Sequence, residues 1–148
     1  MQDTSQQSRF QEMVSRLKQT NHRITPQRLA VLEILASSHN HPSVDMIYEQ
    51  LRDRFPTMSI ATVYKTIAML KEINEVLELG FPDGSNRYDG TKPFSHPHVV
   101  CTQCKAIMDP DLSLVQDLTR EVVKQTGFTI TGIRLDFFGV CDKCQKRT

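Results

Sequence analysis

The sequence predicts an α+β protein with an amino-terminal winged helix-turn-helix domain and a small carboxyl-terminal α/β domain that holds a Zn(Cys)4 site. Three observations support this prediction. Segments with helical apolar spacing precede a hairpin signal, all four cysteines lie beyond position 100, and four of the five histidines fall in two short loops. We expect the winged-helix domain over residues 1–89, a hinge over 90–95 and the second domain over 96–148.

The composition disfavours several classes of protein. The chain has 148 residues, of which 39% are hydrophobic, and a formal net charge of +1. It contains no apolar run long enough for a transmembrane helix, and its first residues lack a secretory signal, so we expect a cytoplasmic protein. The near-neutral net charge argues against a strongly basic nucleic-acid binder, although residues 9–28 hold five basic residues and one acidic residue.

Two helices are predicted before residue 40. Apolar residues with helical spacing indicate the first over residues 9–20. The second begins at Thr25 and Pro26, because threonine is a good N-cap and proline suits the first helical position. We expect the second helix to end at about Ser38.

The third and fourth helices are each predicted to begin after a serine, Ser43 or Ser59. Phe55 ends the third, and the fourth runs to about Asn74. One face of the fourth helix has no carboxylate before Glu72, and close approach to phosphate requires such a face. That face comprises Ala61, Thr62, Lys65, Thr66 and Met69, with Tyr64 at its edge.

A hairpin is predicted after the helices, with strands over 76–79 and 86–88. The intervening Pro82, Asp83, Gly84 and Ser85 contain the Asp-Gly turn signal. Helices followed by a hairpin outline a winged helix-turn-helix, in which the hairpin is the wing. The alternative is a generic helical domain with an unrelated hairpin, and the order of the helices and the basic flanks make it less favourable.

The carboxyl-terminal domain is predicted to combine short strands, His98–Cys101 and 106–108, with a helix capped by Asp111. A long strand follows over 128–138, interrupted near Gly132. The expected core residues of the helix are Leu112, Val115, Leu118 and Val122.

All four cysteines fall in two C-x-x-C pairs, Cys101 with Cys104 and Cys141 with Cys144. Such pairs supply four thiolates to a tetrahedral zinc ion. The 36 residues between the pairs exceed the usual zinc-ribbon spacing, but a helix and a returning strand can bring the pairs together. Two disulfides or two redox dithiols are alternatives, disfavoured by the missing secretion signal and the lack of a βαβ setting. A closed Zn(Cys)4 site would support folding and association rather than catalysis.

A second candidate site combines nitrogen and oxygen donors. His96 and His98 form a His-x-His pair whose imidazoles share one face of an extended segment. Asp89, Asp109 and the more distant His41 are further candidates. These ligands suit Fe(II), Mn(II), Zn(II) or Ni(II). A chance surface pair and an ordinary loop histidine remain the alternatives; if His41 does join the others, the ion would select one interdomain angle.

Six motifs carry a family resemblance: RITPQR at residues 23–28, HPSVDMIY at 41–48, SIATVYK at 59–65, NRYD at 86–89, HPHVVCTQC at 96–104 and GVCDKC at 139–144. With them the chain resembles the ferric uptake regulator (Fur) family of bacterial metal-dependent repressors over nearly its whole length. It is most similar to the peroxide-sensing branch, PerR.

The resemblance implies a homodimeric repressor rather than an enzyme, with a pseudo-palindromic operator in double-stranded DNA as its partner and no membrane association. It implies that the second domain mediates dimerisation and that the cysteines hold a structural Zn2+. Aspartate at Asp109 favours the peroxide-sensing branch, because iron-sensing members typically carry glutamate there. The implied ligands of a regulatory Fe2+ or Mn2+ are His41, Asp89, His96, His98 and Asp109.

The resemblance also implies DNA contacts. The helix that begins at Ser59 would enter the major groove, where Tyr64 would meet thymine methyl groups. The expected DNA-contacting residues are Lys18, Arg23, Arg28, Thr62, Tyr64, Lys65 and Thr66.

In the implied mechanism, peroxide oxidises His41 or His96 to 2-oxo-histidine in the iron-loaded protein, the metal is lost and the DNA is released. Mn(II) would support DNA binding without this oxidation. The main alternative is an iron-responsive repressor of metal-uptake genes, and a zinc or nickel sensor is another. A metalloenzyme would leave the winged helix unexplained, and a purely structural zinc module would leave His41 unexplained.

Overall fold

The computed structural model of the protein describes residues 4–81 and 83–147. The chain divides into two compact units, Met1–Phe94 and Ser95–Thr148. Sequence predictions that concern residues 1–3, Pro82 and Thr148 lie outside the described residues. Across the described ranges, no helix combines the length and the apolar character that a membrane span needs.

The first unit contains helices followed by a hairpin, as the sequence predicts. Strands β1 and β2 pair antiparallel, with Leu77 opposite Asp89 and Gly80 opposite Asn86. In chain order the elements are α1 (Thr4–Gln19), α2 (Pro26–Ser37), α3 (Val44–Leu51), α4 (Ile60–Glu72), β1 (Leu77–Gly80) and β2 (Asn86–Asp89).

Local capping explains where α2 and α3 begin. The Thr25 hydroxyl oxygen accepts a hydrogen bond from the Arg28 N–H at 3.2 Å. The Ser43 hydroxyl oxygen accepts one from the Met46 N–H, also at 3.2 Å. Each cap satisfies an amide that has no partner inside its helix, so both predicted helix starts are confirmed.

Helix α4 differs from its prediction in two ways. Ser59 precedes it, but the serine hydroxyl lies 3.3 Å from the Thr62 hydroxyl and caps no backbone amide. Thr66 and Met69, expected on the solvent-facing side, are buried, with Thr66 only 1% exposed. The Thr66 hydroxyl donates to the Thr62 carbonyl oxygen at 2.8 Å, and this hydrogen bond allows a polar side chain to lie on the core face.

The core of the first unit lies among the four named helices and the inner side of the hairpin. Its fully buried large side chains supply most of the hydrophobic stabilisation of the unit. They include Met13, Leu17, Val31, Leu32, Leu35, Ile47, Val63 and Leu70.

Gly90, the first residue of the expected hinge, is buried in the first unit. A Cβ atom at Gly90 would lie 2.7 Å from the Leu35 Cβ and 2.9 Å from the Leu35 carbonyl oxygen. The Arg9 guanidinium also donates to the Gly90 carbonyl oxygen, at 2.7 Å. The chain is therefore held at this position, and the boundary between the units falls after Phe94.

The second unit is built on a sheet with strand order β4-β3-β5. Strand β4 pairs antiparallel with β3, whereas β5 pairs parallel, with Asp136 opposite His98. In chain order the elements are β3 (His98–Cys101), β4 (Ile107–Met108), α5 (Val115–Thr126), β5 (Asp136–Gly139) and α6 (Asp142–Gln145).

Two predictions for the second unit are wrong. Asp111 does not cap α5, because the helix begins at Val115 after Leu114 and has no side-chain cap. The expected strand over 128–138 is reduced to Asp136–Gly139, the part that pairs with β3.

The prediction that the apolar residues of this helix form a core is also wrong. No residue of α5 is buried among the described residues of this single chain. Leu118 is 54% exposed, and Leu112 and Val122 are exposed as well. The apolar stripe of α5 therefore faces outward.

Candidate metal centres

The four cysteines of the second unit form a compact cluster. Their sulfur atoms all lie within 4.8 Å of one another, and those of Cys104 and Cys141 are 3.7 Å apart. Tetrahedral zinc with Zn–S bonds of about 2.3 Å requires sulfurs about 3.8 Å apart. The parallel pairing of β3 with β5 brings the second cysteine pair beside the first. The cluster therefore suits structural zinc, as the sequence predicts.

The cluster also favours deprotonation when a cation is present. Backbone N–H groups of Cys141 and Cys104 lower the pKa of the Cys101 thiol to about 6. A hydrogen bond with the Cys141 sulfur, together with burial, raises the pKa of Cys144 to about 12. Crowded thiolates repel one another, and a dication relieves this repulsion, so metal binding should release protons.

The first unit contains a buried histidine–carboxylate pair. His41 and Asp89 are 2% and 1% exposed, and His41 Nε2 lies 3.0 Å from Asp89 Oδ2. His41 Nδ1 lies 3.1 Å from the His39 carbonyl oxygen. When a metal is bound, a proton on Nδ1 can bond to the His39 carbonyl oxygen, and Nε2 is then the nitrogen that binds the ion.

Backbone contacts hold His41 beside β2. The Tyr88 N–H donates to the Pro42 carbonyl oxygen at 3.0 Å, and the Arg87 guanidinium donates to the His41 carbonyl oxygen. His41 adopts a left-handed conformation with φ of 51°, which is uncommon for a residue with a side chain. Sequence reasoning missed Arg87, because the role of this side chain depends on pairing across 46 residues.

Asp89 uses its two oxygens for different contacts. Oδ1 accepts hydrogen bonds from the N–H groups of Thr91 and Lys92, at 2.9 and 3.0 Å, and from the Thr91 hydroxyl at 2.8 Å. Oδ2 faces His41. Burial alone would raise the pKa of Asp89, but the hydrogen bonds from His41, Lys92 and Thr91 lower it well below its usual range. Asp89 is therefore a charged carboxylate, suited to a divalent cation.

The second unit brings His96, His98 and Asp109 together. His96 Nε2 lies 3.2 Å from Asp109 Oδ2, and His98 Nε2 lies 3.6 Å from Asp109 Oδ1. The two imidazole centroids are 4.3 Å apart. Two imidazole nitrogens and a carboxylate thus converge, a donor set that suits Fe(II), Mn(II) or Zn(II).

Asp136 is a further residue at this site that sequence reasoning missed. Its Oδ1 lies 3.5 Å from His98 Nδ1, on the opposite edge of the ring from Asp109. The two residues are 38 positions apart, and only the parallel register of β3 and β5 places them together. Neither periodicity nor motif spacing could have indicated the contact.

Most candidate DNA-contacting residues are accessible to a ligand. Tyr64 is 52% exposed, Lys18, Arg23 and Lys65 are exposed, and Thr62 and Arg28 are half-buried. Thr66 is the exception, since its side chain is buried and its hydroxyl is bonded within α4. The prediction that Thr66 faces the DNA is therefore wrong.

Part of the basic charge near the amino terminus is neutralised within the fold. Arg9 Nη2 lies 2.8 Å from Glu75 Oε2, and Arg16 Nε lies 4.0 Å from Glu75 Oε1. These two arginines help to hold α1 against the end of α4. The other basic residues of this stretch, Lys18, Arg23 and Arg28, have no such ion pair among the described residues.

Comparison with known proteins identifies relatives along nearly the whole chain. Residues 19–138 match the model of the ferric uptake regulator family. The peroxide-responsive repressor PerR of Staphylococcus aureus is 38% identical over 138 residues, which cover 93% of this chain and 93% of that protein.

Solved structures give the same result. The ferric uptake regulator Fur of Helicobacter pylori has a TM-score of 0.81 at 24% identity, covering 95% of this chain and 93% of that one, and supports the fold. PerR of Streptococcus pyogenes has a TM-score of 0.53 at 34% identity, covering 92% of each chain. The chain therefore belongs to the ferric uptake regulator family, whose members are metal-dependent, DNA-binding transcription repressors rather than enzymes.

Proposed function

We propose that this repressor senses hydrogen peroxide through oxidation of a histidine that holds its regulatory metal. The similarity to the peroxide-responsive repressor of S. aureus supports this assignment. Aspartate at both carboxylate positions, Asp89 and Asp109, agrees with it. The observation that carries the proposal is that each unit contains its own imidazole–carboxylate pair, His41 with Asp89 and His96 with Asp109, in addition to the thiolate cluster of the second unit.

The proposed ligands of a regulatory Fe2+ or Mn2+ are His41, Asp89, His96, His98 and Asp109. Bound Fe2+ would supply the one-electron chemistry that converts peroxide into a strong oxidant, whereas Mn2+ would not. Two aspartates balance the charge of a divalent ion, and neutral imidazoles complete the donor set. The thiolate cluster has no open position when it holds zinc, so it serves structure.

His41 and His96 are the proposed targets of oxidation. An added oxygen on the ring weakens a histidine as a metal donor, so the regulatory ion is released. Because the proposed ligands come from both units, loss of the ion would free the units from a fixed relative orientation and reduce the affinity for DNA. The reaction consumes the sensor and has no turnover.

We further propose that the protein acts as a homodimer on a pseudo-palindromic operator. Helix α4 would enter the major groove and present Thr62, Tyr64 and Lys65 to the bases and the backbone. Lys18, Arg23 and Arg28 would contact phosphates.

The proposal is tested by operator binding with Fe(II)-loaded and Mn(II)-loaded protein, before and after peroxide at micromolar concentration. We expect the iron form to lose its DNA and the manganese form to keep it. Mass spectrometry of tryptic peptides should find added oxygen at His41 or His96 in the iron form alone. An iron form that keeps its DNA and shows no oxidised histidine would instead favour an iron-responsive repressor of metal-uptake genes.

Elemental analysis supplies an independent control. A sensor with both sites should retain one zinc per chain after mild chelation and exchange a second ion. A chain that carries zinc alone, whatever metal is offered, would contradict the regulatory site.

A further inference from the structure

We propose that Asp136 is a positioning residue for the regulatory metal: its carboxylate accepts a hydrogen bond from the Nδ1–H of His98 and thereby holds His98 with Nε2 as the metal-binding nitrogen. This inference rests on the proposed function, since it concerns a ligand of the same site. It adds a carboxylate that lies outside the proposed ligand set.

The geometry places His98 between two carboxylates. Nδ1 lies 3.5 Å from Asp136 Oδ1, and Nε2 lies 3.6 Å from Asp109 Oδ1. The side chains of His98 and Asp136 are only 3% and 9% exposed, so little water competes for these contacts. The two ring nitrogens therefore face different oxygens, one on the ligand side and one behind the ring.

The fold holds Asp136 in place from two directions. Its backbone is paired with β3 directly opposite His98, in a parallel register that continues to Gly139 opposite Cys101. Its second oxygen, Oδ2, lies 2.7 Å from Arg134 Nε. Because Arg134 engages Oδ2, Oδ1 is directed to the histidine.

The chemistry of a histidine ligand gives this contact its role. A neutral imidazole carries one proton, and a metal binds the nitrogen that lacks it. A carboxylate beside Nδ1 keeps the proton there and makes Nε2 a stronger donor. At 3.5 Å the two atoms are at ion-pair distance; binding of a cation at Nε2 makes the Nδ1–H a better donor, and we expect the contact to shorten to a hydrogen bond.

The buried histidine of the first unit shows the same arrangement. His41 Nδ1 lies 3.1 Å from the His39 carbonyl oxygen, while Nε2 faces Asp89. Each buried histidine of the proposed site thus has an oxygen behind its Nδ1. For His98 that oxygen carries a charge, so its removal should have a measurable effect on metal binding.

The first experiment measures Mn(II) affinity of the full-length protein from the electron paramagnetic resonance signal of free Mn(II). We expect Asp136→Ala to weaken binding by about 10- to 100-fold, as loss of such partners does elsewhere. Asp136→Asn should lose less, because its amide oxygen can still accept from Nδ1. Asp117→Ala is the matched control, since Asp117 forms an exposed ion pair with Arg120 and should leave affinity unchanged.

The second experiment separates positioning from a purely structural role. Each variant is checked for zinc content and thermal unfolding, and the Nδ1 proton of His98 is followed by 15N-edited NMR in Zn(II)-loaded protein. We expect slow exchange of this proton with water in the wild type and fast exchange in Asp136→Ala. If Asp136→Ala loses its zinc, the role of Asp136 is tested instead by the Mn(II) affinity of Asp136→Asn and by the exchange rate of the Nδ1 proton of His98 in the wild type.

The outcomes distinguish this inference from the function on which it rests. A wild-type protein that fails to bind Mn(II) would overturn both. A wild type that binds Mn(II), together with equal affinity in Asp136→Ala or a rapidly exchanging wild-type Nδ1 proton, would overturn the role of Asp136 alone.

Discussion

Gly90 lies so close to α2 that its environment has no room for a side chain. In Gly90→Ala the added methyl group would meet the Leu35 Cβ at 2.7 Å and the Leu35 carbonyl oxygen at 2.9 Å. Because a backbone atom cannot rotate away, we expect destabilisation of about 1–3 kcal/mol, measured by urea unfolding. Gly132→Ala is the control, since a Cβ there meets nothing within 4 Å. Equal stabilities for the two variants would contradict the packing described for Gly90.

At the scale of single residues, ligands could be predicted from the sequence where their spacing is local. The C-x-x-C pairs and the pair of His96 and His98 carry their geometry within three or four residues. Asp136 could not be predicted, because it reaches His98 through strand pairing. The sequence wrongly predicts Thr66 on the DNA-facing side. Its position, three residues after Val63 and four before Leu70, lies on the buried face of α4, and its hydroxyl is hydrogen-bonded within the helix.

Helix α4 presents residues of different roles at successive positions. Lys65 is exposed and Thr66 is buried. If α4 contacts DNA, Lys65→Ala should weaken operator binding and reduce the slope of log affinity against log salt by about one unit. Thr66→Val removes the hydroxyl without touching the DNA-facing side, so it should leave that slope unchanged. A salt titration by fluorescence anisotropy measures both, and a slope altered only in Thr66→Val would contradict the orientation of the helix.

At the scale of elements, the sequence was most informative where caps and periodicity act locally. Thr25 and Ser43 mark the starts of α2 and α3, and the structure agrees. The segment over 128–135 reads as a strand because it is rich in β-forming residues, yet pairing, rather than propensity, determines a strand. Only Asp136–Gly139 has such a partner within the described part of the chain.

At the scale of the whole molecule, the second unit exposes several large apolar side chains in and around α5 and β5. They are Leu114, Leu118, Val122, Phe128, Phe137 and Phe138. Exposed apolar side chains grouped on one face often mark protein–protein contacts, and periodicity cannot tell a core-facing stripe from a partner-facing one. We propose that the apolar stripe of α5 contributes to the homodimer interface.

Leu118→Glu should convert the proposed dimer into a monomer, because it would bury a carboxylate without a partner. Sedimentation velocity measures the change. Lys124→Glu introduces the same carboxylate at an exposed basic position of α5 and should remain dimeric. A dimeric Leu118→Glu would show that the subunits associate through another surface.

Strand β3 has one further property. It begins with His98 and ends with Cys101, an odd separation of three residues. Side chains alternate along a strand, so an odd step sends the two in opposite directions. The backbone layer of the sheet therefore stands between the imidazole side and the sulfur side, about 10 Å apart along the strand. A deletion of one residue here would bring both kinds of donor to one side, about 7 Å apart along the strand, where a single ion could recruit sulfur and nitrogen together. The length of this short strand thus keeps the sulfur donor and the nitrogen donor on opposite faces of the sheet.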